Sequence, residues 1–289
     1  MRRVPFTVRL RVPVGAVVER QGWLVEGPAG WGECSPLASW SSGERAAAER
    51  SADEAATRPF PAPLRDTVEV NAMVPRVPPE LAAALAIESG CRTVKVKVGD
   101  SGGEARVEAV RAALGSSGRI RLDANGSWRD VDEALEAIRS YERFDVELVE
   151  DPVESLEQLA RLRRTSPVPV AAEMSVRTVE DARRLRELGA ADAIVIKPQR
   201  IGGVSAALAA AEEAGVPAIA SSALETSIGL AAVLAVAAAL PASPFAHGVG
   251  TALLLEADVT STPLLPDGGV LEPRRVTPDL LVASGTAHG

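Results

Sequence analysis

Residues 93–98 read Thr93-Val94-Lys95-Val96-Lys97-Val98, and the alternation in this stretch decides the fold. Successive side chains of a strand point to opposite faces, so Lys95 and Lys97 share one face and the three valines the other. Valines packed under helices send both lysines into the interior of a parallel barrel. An edge strand would instead leave the lysines in solvent. Two ammonium groups buried together are costly unless acids or a substrate anion compensate them, so the neighbouring strands choose between the readings.

Similar runs recur as TVEVNA at 67–72, IRLDANG at 120–126, VELVED at 146–151, VPVAAE at 168–173, AIVIKP at 193–198 and VPAIASS at 216–222, with a weaker run near 245–251. Amphipathic stretches separate them, such as DVDEALEAIRSY at 130–141, SLEQLARLRR at 155–164 and TVEDARRLRELG at 178–189. Strands alternating with helices of this length predict βαβ units on a parallel sheet. The polar residues that end the runs, Lys97, Asp123, Glu150, Glu173, Lys197 and Ser221, are spaced by 26, 27, 23, 24 and 24 residues. Eight such units need about 200 residues, and residues 67–256 supply 190, which predicts a closed (β/α)8 TIM barrel over 66–256.

Residues 1–65 differ from this pattern. FTVRLRV, GAVVE and GWLVEG are short alternating runs divided by Gly and Pro, followed by an Ala-rich helical stretch at 44–56. They predict a small α+β capping domain of antiparallel strands and a helix. The tail, with STPLLPDGGVLEPRRVTPD at 261–279, is too irregular for another unit, and residues 257–289 are expected to complete the cap.

Composition narrows the function. The chain has 289 residues, 31 Lys and Arg against 39 Asp and Glu, a net charge of −8, and 46% hydrophobic residues of which few are aromatic. A chain of this length buries roughly three quarters of its unfolded surface without disulfides or structural metal. An acidic protein with so few rings has neither the basic field nor the stacking platforms that nucleic acid requires, and an anionic membrane is excluded on the same ground. Cys34 and Cys91 suit small buried hydrophobes and a reducing cytoplasm. Arginines interrupt the first residues and leave no signal-peptide stretch, and the longest apolar run, 228–240, falls short of the roughly twenty residues a membrane span needs. A soluble cytoplasmic protein is expected, as a monomer or small homo-oligomer.

In a parallel barrel the strand ends converge on one mouth. Asp123, Glu150 and Glu173 then stand on three consecutive strands, where unpaired acids would repel. A hard divalent cation resolves the repulsion, and carboxylate-only ligation with room for water is the chemistry of Mg²⁺. Asp151 either ends its strand or supports a ligand from behind. Strands two and six lie on opposite sides of an eight-strand ring, so Lys97 and Lys197 face each other across a bound substrate. That arrangement suits proton abstraction beside a carboxylate, with the cation stabilising the developing charge and Lys95 acting on Lys97 electrostatically.

KVKVG, LDANGSW, VEDP, AAEMS and VIKP, in this order and spacing, resemble the enolase superfamily, in particular its muconate-lactonizing-enzyme subgroup. GWGECSPL at 30–37 resembles the capping segment of that family. The resemblance implies that Lys97 is the acid/base, Lys95 its electrostatic partner, Asp123, Glu150 and Glu173 the Mg²⁺ ligands, and Lys197 the lysine of the opposite face. Where the family commonly reads Asp-Glu-Ser this chain has Glu173-Met174-Ser175, so the third ligand is longer by one methylene.

Within the subgroup, the short length, GWGECSPL and SSALETSIGL are most similar to the branch that dehydrates a succinyl-hydroxycyclohexadiene carboxylate in menaquinone biosynthesis. The small-molecule carboxylate would meet Lys97 on one face and Lys197, as a cation–π partner, on the other. Asn125, Ser221 and Ser222 are expected to touch it, Ser221 and Ser222 alternatively capping the next helix, and Gly248 and Gly250 to let backbone approach. Trp40 is expected to close over the site, and His247 to have no catalytic role. Racemisation or epimerisation of N-acylated amino acids or dipeptides, a muconate-type cycloisomerisation, and a non-catalytic carboxylate-binding barrel are the competing uses of the same residues.

Overall fold

Exposed arginines alternating with buried Phe6, Val8 and Leu10 make the first segment of the computed structural model, which describes residues 1–279, a one-sided strand, β1 (Arg2–Val14). It turns through Gly15, at φ 60°, and pairs antiparallel with β2 (Val17–Gly27), which pairs with β3 (Gly30–Cys34). The helix α1 (Ser42–Thr57) starts at a capping box between Ser41 and Glu44 and lays Ala48, Ala52 and Ala56 on this sheet. Their approach is close, because a Cβ on Gly32 would sit 2.0 Å from the Ala52 carbonyl oxygen. Only a glycine is accommodated there.

After β4 (Val68–Glu69) the chain alternates. It runs through β5 (Asn71–Val74), α2 (Pro79–Glu88), β6 (Thr93–Lys97), α3 (Gly103–Leu114), β7 (Arg119–Asp123), α4 (Val131–Tyr141), β8 (Val146–Glu150) and α5 (Leu156–Arg163). It continues through β9 (Val170–Ala172), α6 (Val179–Leu188), β10 (Ala193–Ile196), α7 (Pro198–Ile201), α8 (Val204–Ala214), β11 (Ala218–Ala220) and α9 (Ser227–Ala239). Helices begin where the sequence offers a side-chain oxygen to free backbone N–H groups: Asp130, Ser155, Thr178 and Thr226 cap α4, α5, α6 and α9.

Strands β5 to β11 pair in chain order in a seven-stranded parallel sheet. Residues 247 and 248 reach both of its ends: Val70 and His247 form one parallel bridge, Ser221 and Gly248 another. The amide of His247 donates to the Glu69 carbonyl at 2.8 Å and that of Gly248 to the Ala220 carbonyl at 2.8 Å. This is a TIM-barrel-like α/β fold. The expected eighth run is reduced to these bridges, and the expected first run divides, with β4 pairing instead with a late strand, β12 (Val270–Leu271), while β5 enters the sheet. Arg275 reaches the carbonyl of Ala55 at 2.8 Å, at the end of α1. Part of the expected cap completion, residues 280–289, lies outside the described residues. No helix among the described residues is long and apolar enough to cross a membrane.

Strand parity separates the two faces. Val94, Val96 and Val98 are fully buried in the main core with Val107 and Val110 of α3. On the opposite face Leu148, Ala171, Ala193, Val195 and Ile219 form a separate small cluster. Stepping two residues from Leu148, Ala171, Val195 and Ile219 reaches Glu150, Glu173, Lys197 and Ser221. Apolar side chains thus floor the sheet interior, and the polar residues sit above them at the strand ends.

Candidate active site

A cavity of about 490 Å³ opens above the ends of the strands, with Lys95, Lys97 and Lys197 on its walls. Lys97 and Lys197 end β6 and follow β10, four strand positions apart in the sheet. The N-terminal segment roofs it through Val14, Gly15, Val17 and Leu37. Cys34 and Cys91 are both buried and free.

The register of β6 on β7 sets Lys97 beside Asp123. Asp123 Oδ2 accepts Lys97 Nζ at 2.8 Å and Lys95 Nζ at 2.9 Å. Lys95 also donates to Glu150 Oε1 at 3.1 Å, and Lys97 to Asn125 Oδ1. Across the cavity Lys197 Nζ lies 2.8 Å from Glu173 Oε2, while Arg200 Nη1 lies 2.6 Å from Glu173 Oε1. Arg200 is held in turn by Glu44 of α1, at 2.6 Å.

Burial alone would raise every one of these carboxyls, and their partners decide the outcome. For Asp123, Lys95 and Lys97 outweigh burial and hold the group below the usual carboxylate range. For Glu173, Lys197 and Arg200 do the same and bring it down to about 2. In Glu150 burial prevails over Lys95, and the group is raised. Asp151 is raised well above its ordinary value by burial and then by the charges of Glu173 and Glu150. Lys95 and Lys197, though burial opposes their charge, are raised by the acids and stay ammonium.

The donor set fits a hard cation. Glu150, Asp151 and Glu173 bring carboxylate oxygens within 4.8 Å of one another, all buried. Asp123 Oδ1 is buried with no hydrogen-bond partner. Unpaired buried carboxylate oxygens around a cluster of acids are what oxygen ligation by a divalent ion satisfies. Asp151 departs from the expected grouping by joining the cluster, and its own hydrogen bonds explain how. Its Oδ1 accepts the Glu173 amide at 2.8 Å and its Oδ2 the Met174 amide at 3.0 Å, so it fixes the backbone that carries Glu173. Asp151 itself has φ 46°, a left-handed turn after β8 that aims its carboxylate across to the next strand end.

Other expected residues fall in different places. Asn125, Ser221, Ser222 and Gly248 line the cavity. Ser221 and Ser222 do not cap α9, whose N-cap is Thr226, and Ser222 Oγ pairs with Thr251 Oγ1 at 2.5 Å. Gly250 does not line it: a Cβ there would meet the Asn71 carbonyl oxygen at 2.6 Å, so this glycine serves backbone packing behind β5. Trp40 does not close over the site. It is buried with Val25, Cys34 and Ala48 between the N-terminal sheet and α1, and Leu37 of the same loop faces the cavity instead. His247 Nδ1 accepts the Ala220 amide at 3.0 Å, a structural bond of a buried imidazole.

Asn71, Met73, Arg76 and Thr251 also line the cavity without having been expected. Parity could have found two of them, because Met73 pairs with Lys95 in register and Asn71 lies two residues before it. The roof residues carry no such signal.

A family described as enolase C-terminal domain-like matches residues 79–278, and one described as enolase N-terminal domain-like matches residues 2–56. The chain is 51% identical to the o-succinylbenzoate synthase of Thermobifida fusca over 276 residues, 94% of this chain and 87% of that one. It is 41% identical to the o-succinylbenzoate synthase of Mycolicibacterium smegmatis, over 96% of this chain and 85% of that one. Among solved structures, the L-Ala-D/L-Glu epimerase from Bacillus subtilis superposes with a TM-score of 0.81 at 26% identity, covering 96% of both chains. The muconate lactonizing enzyme from Pseudomonas putida shares the fold, with a TM-score of 0.78 at 22% identity over 96% of this chain and 95% of that one.

Proposed function

The chain belongs to the enolase superfamily, and on that premise we propose that it is a lyase that dehydrates 2-succinyl-6-hydroxy-2,4-cyclohexadiene-1-carboxylate to 2-succinylbenzoate, the o-succinylbenzoate synthase reaction of menaquinone biosynthesis. The observation that carries this reading is the 51% identity to an enzyme of that name along 94% of the chain. The lysines on one cavity supply the chemistry. We read the fold as a closed (β/α)8 barrel over 66–256 capped by residues 1–65 and the tail, in a cytoplasmic protein.

In this mechanism Lys97, as the neutral amine, takes the proton α to the ring carboxylate, and the C–H electron pair moves towards the carboxylate, whose oxygens take up the charge. The Lys97 ammonium then returns that proton to the hydroxyl on the neighbouring carbon, the electron pair moves back to form the new ring C=C bond as the C–O bond breaks, and water leaves an aromatic ring. Lys95, held by Asp123 and Glu150, keeps positive charge beside Lys97. Lys197 remains an ammonium against Glu173 and places its charge at the opposite face of the forming ring. Asp123, Glu150 and Glu173, with Asp151 behind Glu173, would hold Mg²⁺, which when bound supplies charge stabilisation at the substrate carboxylate. Asn125, Ser221, Ser222 and the backbone at Gly248 would orient the rest of the substrate, with the roof excluding water.

A second reading, epimerisation of an N-acylated amino acid or dipeptide, is favoured by two observations: a lysine stands on each side of the cavity, and the Bacillus subtilis epimerase has the same fold. The test is appearance of aromatic product from the cyclohexadiene substrate with and without Mg²⁺, together with solvent exchange of the α-proton of an N-succinylamino acid in D₂O. Aromatic product that depends on Mg²⁺ supports dehydration. Exchange from both faces without aromatic product would replace it with epimerisation.

A further inference from the structure

The loop from β11 to α9 forms one wall of the cavity through Ser221, Ser222, Ala223 and Leu224. Leu224 has φ 67°, a left-handed conformation that a leucine adopts only under constraint. The constraint comes from far along the chain. Arg20 of β2 is 3% exposed, and its Nε donates to the Leu224 carbonyl at 3.0 Å. The same guanidinium donates to the backbone carbonyl and, at 3.1 Å, the hydroxyl of Ser35.

Two buried acids complete the arrangement. Glu225 accepts the Ala223 amide at 2.5 Å and Gln199 Nε2 at 3.2 Å. Glu33 accepts the amides of Thr226 and Gly229 at 3.1 and 3.0 Å, at the start of α9. Burial and then Glu225 push the Glu33 carboxyl up to about 7, while Arg20 is the cation that both acids face. Arg20 also lies three residues after Val17, which roofs the same cavity. One side chain therefore joins the roof to the wall.

We propose that Arg20 is a positioning residue for substrate binding: by fixing the Leu224 carbonyl it holds residues 221–224 in the shape against which the substrate rests. Arg20 does not line the cavity, and it has no contact with Lys97, so its loss acts on binding rather than on proton transfer. The inference rests on the dehydratase reading for its substrate and product.

Arg20→Lys keeps one positive charge between Glu33 and Glu225 but replaces the planar fork by a single ammonium, which cannot serve Leu224 and Ser35 together. Steady-state kinetics, calorimetric binding of 2-succinylbenzoate, and backbone hydrogen exchange of 221–226 are measured on the full chain. KM and the product Kd should each rise about tenfold, with kcat within about twofold, and exchange should quicken in 221–226. A folded Arg20→Lys with wild-type KM and Kd, or one that loses kcat at unchanged KM, overturns the proposal. Should that variant fail to fold, Arg20→Gln, which puts one neutral amide in place of the guanidinium fork, should raise KM and Kd by the same factor. Unchanged values there overturn it too. A wild-type chain without turnover defeats the dehydratase reading instead, so the two failures are distinguishable.

Discussion

Lys97 Nζ donates to Asp123 Oδ2 at 2.8 Å across two strands in direct register, which ties the proposed base to a proposed metal ligand. With Asn125 also on Lys97 Nζ, the amine is aimed by two fixed acceptors. Removing the amine should leave the fold, since Lys97 stands at the edge of the cavity, and remove the proton transfer. Lys97→Ala is expected to lower kcat by about 10²–10⁴ with an unchanged circular dichroism spectrum. Aromatic product is followed by its absorbance, and wild-type kcat in this variant would reassign the base.

Asp151 fixes the backbone amides of Glu173 and Met174, so its effect on a bound cation passes through Glu173. Asp151→Asn retains one acceptor oxygen and loses the other. Its affinity for Mg²⁺, read by calorimetry, should fall about 10–100-fold, and chelation of the wild type should abolish turnover, with Mg²⁺ restoring it. Turnover that survives complete stripping of metal would remove the cation from the reaction.

Lys197 distinguishes a one-base dehydration from a two-base epimerisation. If it serves only as a charge against the ring, Lys197→Ala loses an interaction of about 2 kcal/mol at most, or about 30-fold in kcat. Lys197→Arg, which keeps the charge, should recover part of that loss. A loss on the scale of Lys97→Ala, without recovery by arginine, would mean that Lys197 moves a proton.

His247 is buried as a neutral imidazole that accepts the Ala220 amide, and burial, followed by Arg65 and Arg121, lowers its pKa to about 4. Because the folded value lies below the unfolded one of about 6.5, its contribution to stability is fully present above pH 6.5 and is lost as pH falls towards 4. The size is up to about 3 kcal/mol. His247→Asn offers a similar acceptor without the titration. Urea unfolding at pH 7.5 and 4.5 should show a smaller acid loss in the variant than in the wild type, and equal losses would contradict this account.

Much of the site is legible in the order of residues alone. Lys95 and Lys97 face inward because the valines between them face the helices, and Glu150, Glu173, Lys197 and Ser221 follow from the same two-residue period. Period-two alternation is a property of the local backbone, so a run of six residues carries it. The helix starts at Asp130, Ser155 and Thr178 are legible for a similar reason, since a cap and the amides it satisfies lie within one turn. Trp40 escapes this logic because a loop aromatic among serines has no periodicity to say which way it points. Gly250 escapes it because a missing Cβ serves a turn, a ligand or a neighbouring strand equally well.

The order and spacing of the strand units, the face of each lysine and carboxylate, and the starts of α4, α5 and α6 can be read from the order of residues, because each depends on residues within a few positions. Which of those groups meet is set by the packing of distant segments. Asp151 reaches the amides of the next strand end because its backbone turns left-handed there, and Leu37 rather than Trp40 roofs the cavity because the tryptophan fills a space between the N-terminal sheet and α1. Arg20 holds Leu224 across 204 residues of chain. Such contacts follow from the curvature of the sheet and the seating of the roof upon it, which are set by the packing of the whole chain.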